Sequence, residues 1–201
     1  MKKEPNLLRD MLIKAAKNEI RISYEETEGF ISEIESKIGG KPAVPNDFIW
    51  PEYKGRGYLD EEYEKYPLSF LAQIDLEDIS EYDTENLLPK TGVLSFFYEL
   101  STMRWGFAPE DKGCARVYYF PDKTKLSKRE FPKDMEKDMY VPELKIYFDK
   151  HISLPYPDDF YADNFEWDEY EECCSKLGYE YDDMGRVTKL LGYPDVIQNP
   201  M

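Results

Sequence analysis

One histidine, three cysteines and a large excess of carboxylates are the side chains from which this chain could build chemistry. His151 stands alone, which excludes a multi-histidine metal site and a pair of histidine acid–base groups. Neither a G-x-S-x-G elbow nor a local protease cysteine signature accompanies it, so His151 has no nucleophile in view and reads as a surface or strand-end residue. Cys173 and Cys174 fall on an expected helix, with Cys174 on its apolar face. That is the setting of a small buried hydrophobe, and the carboxylates around it raise a thiol pKa. Asp75 and Asp78, three residues apart, would share a helix face as an acid–base pair, but their place just after a strand suits helix capping.

The densest group is Asp158, Asp159, Asp163, Glu166, Asp168, Glu169, Glu171 and Glu172. It lacks the central glycine and closing glutamate of an EF-hand loop, so the default is a solvated helix face and no calcium site is expected. Trp167 and Tyr170 stand among these carboxylates. Acidic charge with aromatic anchors imitates a polyanion, and Asp158, Asp159, Asp163, Glu166, Trp167 and Tyr170 are the expected binding residues for a basic protein partner. No catalytic residue, metal ligand or cofactor is assigned.

The elements that must position these residues follow from hydropathy. Leu68, Phe70, Ala72 and Ile74 alternate with Ser69, Leu71, Gln73 and Asp75, apolar on both faces, which reads as an interior strand. A short helical turn over Asp75–Glu81 and a return through Pro89 and Gly92 lead to a second strand, Val93–Tyr98. Cys114–Phe120 alternates again and forms a hairpin with that strand, and Leu144, Ile146 and Phe148 mark another. Before the core, a first helix runs to about Asn18, Ile20–Tyr24 is a short strand, and Ser36–Pro45 is an ordered loop. Its glycine pair lacks the spacing of a phosphate loop. Near the end, Asp163 and Glu166 stand at capping-box spacing ahead of a helix over about Asn164–Leu177, closed by Gly178 and lined on one face by Trp167, Tyr170, Cys174 and Leu177.

The chain has 42 acidic and 26 basic residues, a net charge of −16 that repels nucleic-acid phosphate and anionic membrane and attracts basic proteins. A hydrophobic share of 41% over 201 residues is enough for one core, so a single domain over 1–201 is expected. The N-terminus has no uninterrupted apolar stretch, and no run approaches the roughly 20 apolar residues of a membrane span. Together with an odd set of cysteines, this implies a cytoplasmic protein.

SKIGGKP from Ser36, WP at Trp50, PLSFLAQIDL from Pro67, LLPKTGVLSFFY from Leu87 and LLGYPDVIQ from Leu190 resemble blocks of the YwqG-like family, a bacterial family of unknown function. The resemblance covers about residues 20–199. It implies an α+β fold, mainly antiparallel sheet with a few peripheral helices, of which this chain is half of a duplicated arrangement, incomplete at its C-terminus. A sheet that lacks its second copy leaves a strand edge unpaired, through which a homodimer can form.

Two function classes follow. The first is a non-catalytic interaction protein; the family's association with bacterial toxin neighbourhoods implies an immunity-type role. The second is an enzyme or small-ligand binder with a carboxylate site between strands, whose polar groups would converge in an apolar pocket.

Overall fold

The computed structural model describes residues 5–26, 29, 31–55, 65–155, 165–179 and 188–194. Within them the order is α1 (Pro5–Ala15), β1 (Lys17–Glu25), β2 (Lys37–Ile38), β3 (Ala43–Pro45), β4 (Glu52–Tyr53), β5 (Tyr66–Pro67), β6 (Ser69–Asp75), α2 (Leu76–Ile79), β7 (Val93–Tyr98), β8 (Ala115–Phe120), β9 (Leu126–Lys128), β10 (Leu144–Ser153), α3 (Trp167–Lys176) and β11 (Lys189–Leu191). Single-turn 3₁₀ segments punctuate the loops. This is the expected α+β fold. The chain divides into two compact units, one of Met1–Ser23, Tyr82–Glu85 and Phe148–Met201, the other of Tyr24–Glu81 and Asn86–Tyr147.

In the larger unit the first part of β10 pairs with β2, and the sheet continues through β6 and β7 to β8. The pairings described are antiparallel, with Lys37 opposite Gln73, Gln73 opposite Ser95, and Ser95 opposite Tyr118. β6 takes the interior position that its two-faced apolar pattern implies, hydrogen-bonded between β2 and β7. Gln73 is the polar exception at its centre, fully buried and fully used. Its Oε1 accepts from the Ala43 amide at 2.9 Å, and its Nε2 donates to the carbonyls of Glu33 at 2.7 Å and Glu35 at 3.0 Å. A buried amide so satisfied specifies the path of β3 against β6 where apolar packing alone would allow sliding. Tyr53, Leu68, Phe70, Phe97 and Cys114 form the core beside it, with Phe48, Trp50 and Tyr118 packed on its margin.

Ser36–Pro45 departs from the expected loop. It contains β2, an interior strand, and β3, which pairs with β9. The strands are two and three residues long, too short for any periodicity to show. Gly39 and Gly40 turn between them at φ +61° and +64°, a left-handed path that favours glycine. The turn docks where Gly39 N–H reaches Leu71 O at 2.7 Å and Gly40 N–H reaches Val141 O at 2.9 Å.

In the smaller unit β1 pairs antiparallel with β11, Ile20 opposite Leu190, and the latter part of β10 completes the sheet. The first helix stops at Ala15 instead of Asn18. Asn18 is already committed elsewhere: its Oδ1 accepts from Thr84 N–H at 2.6 Å, and its own N–H donates to Glu85 Oε1 at 2.7 Å. That anchor starts a nine-residue strand where the sequence indicated a short one. Leu8 and Leu12 of α1 pack on Tyr170 and Cys174 of α3, with Phe165 and Leu177 closing the cluster. The start of α3 is a correction. Phe165 is not helical, and Glu166, extended at ψ 153°, precedes the first helical residue, Trp167; Asp163 and Asn164 lie outside the described residues. Among the described residues no helix is long and apolar enough to cross a membrane.

Candidate functional site

The acidic helix α3 is built to show one face and bury the other. Tyr170 and Cys174, four residues apart, enter the core, and the Tyr170 hydroxyl donates to Pro155 O at 2.7 Å. Glu166 N–H donates to Glu169 Oε2 at 3.3 Å at the start, and Gly178 at φ +73° releases the chain at the end. With that stripe inward, Glu166, Asp168, Glu169, Glu171 and Glu172 are all exposed. Two carboxylates of the first turn, Asp168 and Glu169, suit the positive end of the helix dipole, and Lys176 in the last turn pairs with Glu172 at 2.7 Å. That hydrogen bond and charge hold the Glu172 carboxyl below its ordinary value.

Trp167 lies at the rim of this face, 37% exposed, and its indole Nε1 donates to Glu171 Oε1 at 2.9 Å, one turn along. The sequence placed Trp167 on the apolar stripe with Tyr170; the structure separates them. Of the six expected binding residues, Glu166 and Trp167 share the solvent face, Tyr170 is buried in the core, and Asp158, Asp159 and Asp163 lie outside the described residues.

The groups weighed for chemistry are engaged in structure. Burial pushes the thiols of Cys114 and Cys173 up, and that of Cys174 up to about 11, so the population of nucleophilic thiolate at neutral pH is depressed. Asp75 caps α2 by accepting from Glu77 N–H at 3.1 Å and binds Lys123 at 2.7 Å, while Asp78 accepts from Ser36 Oγ at 2.6 Å. The Ser36 hydroxyl in turn receives Asp75 N–H at 2.8 Å. The Asp78 carboxylate and the Asp75 amide fasten α2 to the segment before β2, while the Asp75 carboxylate caps α2 and holds Lys123, so each carboxylate has a structural partner of its own. His151 lies half-buried near the end of β10. Among the described residues no group of three or more His, Cys, Asp or Glu is placed to hold a metal ion.

Two surfaces were not singled out by sequence. One is an open cleft of about 650 Å³ in the larger unit, lined by Phe48, Trp50, Pro51 and Tyr118, with Asp47 and the Glu52–Lys65 pair, 2.7 Å apart, at its edge. Trp50 is oriented by its indole N–H on Leu68 O at 2.8 Å. The other is the segment joining β7 to β8. Glu99, fully buried, accepts from Ser101 N–H at 2.9 Å, Thr102 N–H at 3.1 Å and both their hydroxyls, and Asp111 accepts from Gly106 N–H at 3.1 Å. On this braced frame Trp105 and Phe107 stand 79% and 76% exposed. Exposed aromatics scattered singly are common, but two within three residues on a fixed loop make a display. The signal was the TMRWGF string itself, which has no periodicity to mark it.

The profile of a domain of unknown function (DUF1963) matches residues 36–201 of the chain. A search of curated proteins finds no match.

Proposed function

Because the chain belongs to the DUF1963 family of domains of unknown function, its function must be read from its own surface, and we propose that it is a cytoplasmic, non-catalytic binding protein that docks a basic protein partner. Within the family we place it with the bacterial YwqG-like proteins, on the sequence blocks they share, and assign it an immunity-type role. The observation that carries this reading is α3. Five exposed carboxylates from Glu166 to Glu172 surround one half-exposed tryptophan whose indole is fixed by Glu171. Rigid aromatic anchors ringed by charge are the anatomy of an interface hot spot: charge speeds encounter, and the desolvated ring slows departure. The global charge of −16 has the same sign as the face and extends its reach. Affinity capture at low salt with the wild-type chain, repeated with Glu169→Lys/Glu172→Lys, tests it. A basic protein retained by the first and lost by the second is expected; retention unaffected by the charge reversal overturns the assignment of the face.

The aromatic cleft supports a second reading, a small-ligand site. Phe48, Trp50 and Tyr118 offer stacking surface, and Asp47, Glu52, Lys54 and Lys65 offer polar contacts around them. A small molecule retained by purified protein and released by Tyr118→Ala, with no basic partner captured, would favour this reading over the first.

A further inference from the structure

Strand β8 has β7 on one side and no strand on the other among the described residues, so half of its backbone N–H and C=O groups face outward with no strand to pair them, the Ala115 carbonyl alone accepting from the Arg116 side chain at 3.2 Å. An edge of this kind takes an extended strand, and its side chains decide whose. In a chain with 42 acidic residues, Lys112–Phe120 reads KGCARVYYF, with two cations and no carboxylate. Val117, 59% exposed, and Tyr119 point to the face they share with Phe96 and Leu94 of β7, so an apolar strip runs out to the edge and stops there.

We infer that β8 pairs antiparallel with β8 of a second copy of this chain, making one sheet continuous across a two-fold axis at Tyr118. The strand is self-complementary in this register. Val117 lies opposite the partner's Tyr119, a β-branched residue against an aromatic one, and Arg116 lies opposite the partner's Phe120, which keeps the two guanidiniums apart. A two-fold axis perpendicular to the sheet puts both apolar strips on the same face. It also brings the loop of each copy, with exposed Trp105 and Phe107, toward the Phe120–Pro121 end of the other. The surface shares no residue with the acidic face of α3, and the inference stands whether or not a basic partner exists.

Charge decides the salt dependence. Two bodies of −16 repel at long range, while the contact itself carries no carboxylate on β8, so screening removes a penalty and leaves the attraction. Sedimentation velocity of the full chain from 1 to 100 µM (order-of-magnitude concentrations for a standard-size interface) should show a monomer–dimer equilibrium that shifts toward dimer as salt rises. Val117→Lys, at an exposed position, should give a monomer with unchanged circular dichroism. The register has its own test. An oxidised mixture of Val117→Cys and Tyr119→Cys chains should yield the mixed disulfide dimer in excess over either homodimer, because these positions face each other across the axis. A monomer throughout the range, a dimer indifferent to Val117→Lys, or homodimers of Val117→Cys in excess would each overturn the assignment, the first leaving the edge to a strand of another protein.

Discussion

Lys37 Nζ lies 2.6 Å from Glu143 Oε2, and the lysine that makes this pair is 1% exposed. Lys37 sits on the short interior strand β2, opposite Gln73, and its ammonium reaches the segment leading into β10. The double glycine makes the pair possible. A Cβ on Gly40 would strike the Glu143 carboxylate and one on Gly39 the carbonyls of Val141 and Pro142. Removing one member of a buried ion pair strands the other, typically at about 3–5 kcal/mol. Glu143 keeps part of its surface in water, so Glu143→Gln should fall at the lower end of that range in urea unfolding. Lys37→Met, which removes the buried charge itself, should cost less. Equal losses would mean that packing, not charge, governs the site.

Glu19 predicts an acid-sensitive smaller unit. Burial pushes its carboxyl up, but hydrogen bonds from Arg21 at 2.8 Å and Lys189 at 2.9 Å, with the lysine's charge, outweigh burial and hold it below the ordinary value of 4.5. A carboxyl with a lowered folded pKa binds fewer protons folded than unfolded. Its contribution is complete above the unfolded value and fades as pH falls through the folded one. Wild type should therefore exceed Glu19→Gln in stability at neutral pH, and the gap should narrow below pH 4.5. A gap that stays constant down the titration would show that the residue acts through shape alone.

Long two-sided apolar runs were legible in the sequence, because β6, β7 and β8 each repeat their period for six or seven residues. Strands β2 and β3 were not, since their pairing is dictated by distant partners such as Gln73 and the β9 residues and leaves no local trace. The blocks that resemble a family turn out to be fasteners: Ser36, Gly39, Gly40, Gln73 and Asp75 hold one another, the neighbouring Asp78 or the backbone nearby. Their specificity as sequence therefore reports architecture and carries little about chemistry. The acidic helix was visible from its heptad-like stripe. That Trp167 leaves the stripe was not, because a residue at the first helical position can point along the helix as easily as into it.

The adjacent thiols should behave differently. Cys174, buried against Leu8, Leu12 and Tyr170 with its thiol at about 11, should resist an aromatic disulfide reagent at pH 8 (about the reactive range of an ordinary thiol) until the protein unfolds. Cys173, half-buried, should react first. Replacing Cys174 with Ser puts a hydroxyl into an apolar cluster and should cost about 1–3 kcal/mol, whereas Cys173→Ser should be nearly silent. Faster labelling of Cys174 than of Cys173 in the folded protein would contradict the packing of α3 on α1.

Trp167 separates binding from folding. Its ring lies along the outside of α3, tied to Glu171, while Tyr170 and Cys174 supply the core contacts of the same helix. Trp167→Ala should leave cooperative unfolding intact and weaken a basic partner by about 2 kcal/mol, near 30-fold in Kd, mostly through faster dissociation. Charge reversal at Glu169 and Glu172 should act on the other rate. Association should slow, and its steep dependence on ionic strength, set by a screening length of about 8 Å at physiological salt, should flatten. Tyr170→Ala, by contrast, should unfold the helix from α1 and abolish both. If Trp167→Ala lowers the melting temperature as far as Tyr170→Ala does, the indole belongs to the core and the acidic face has lost its anchor.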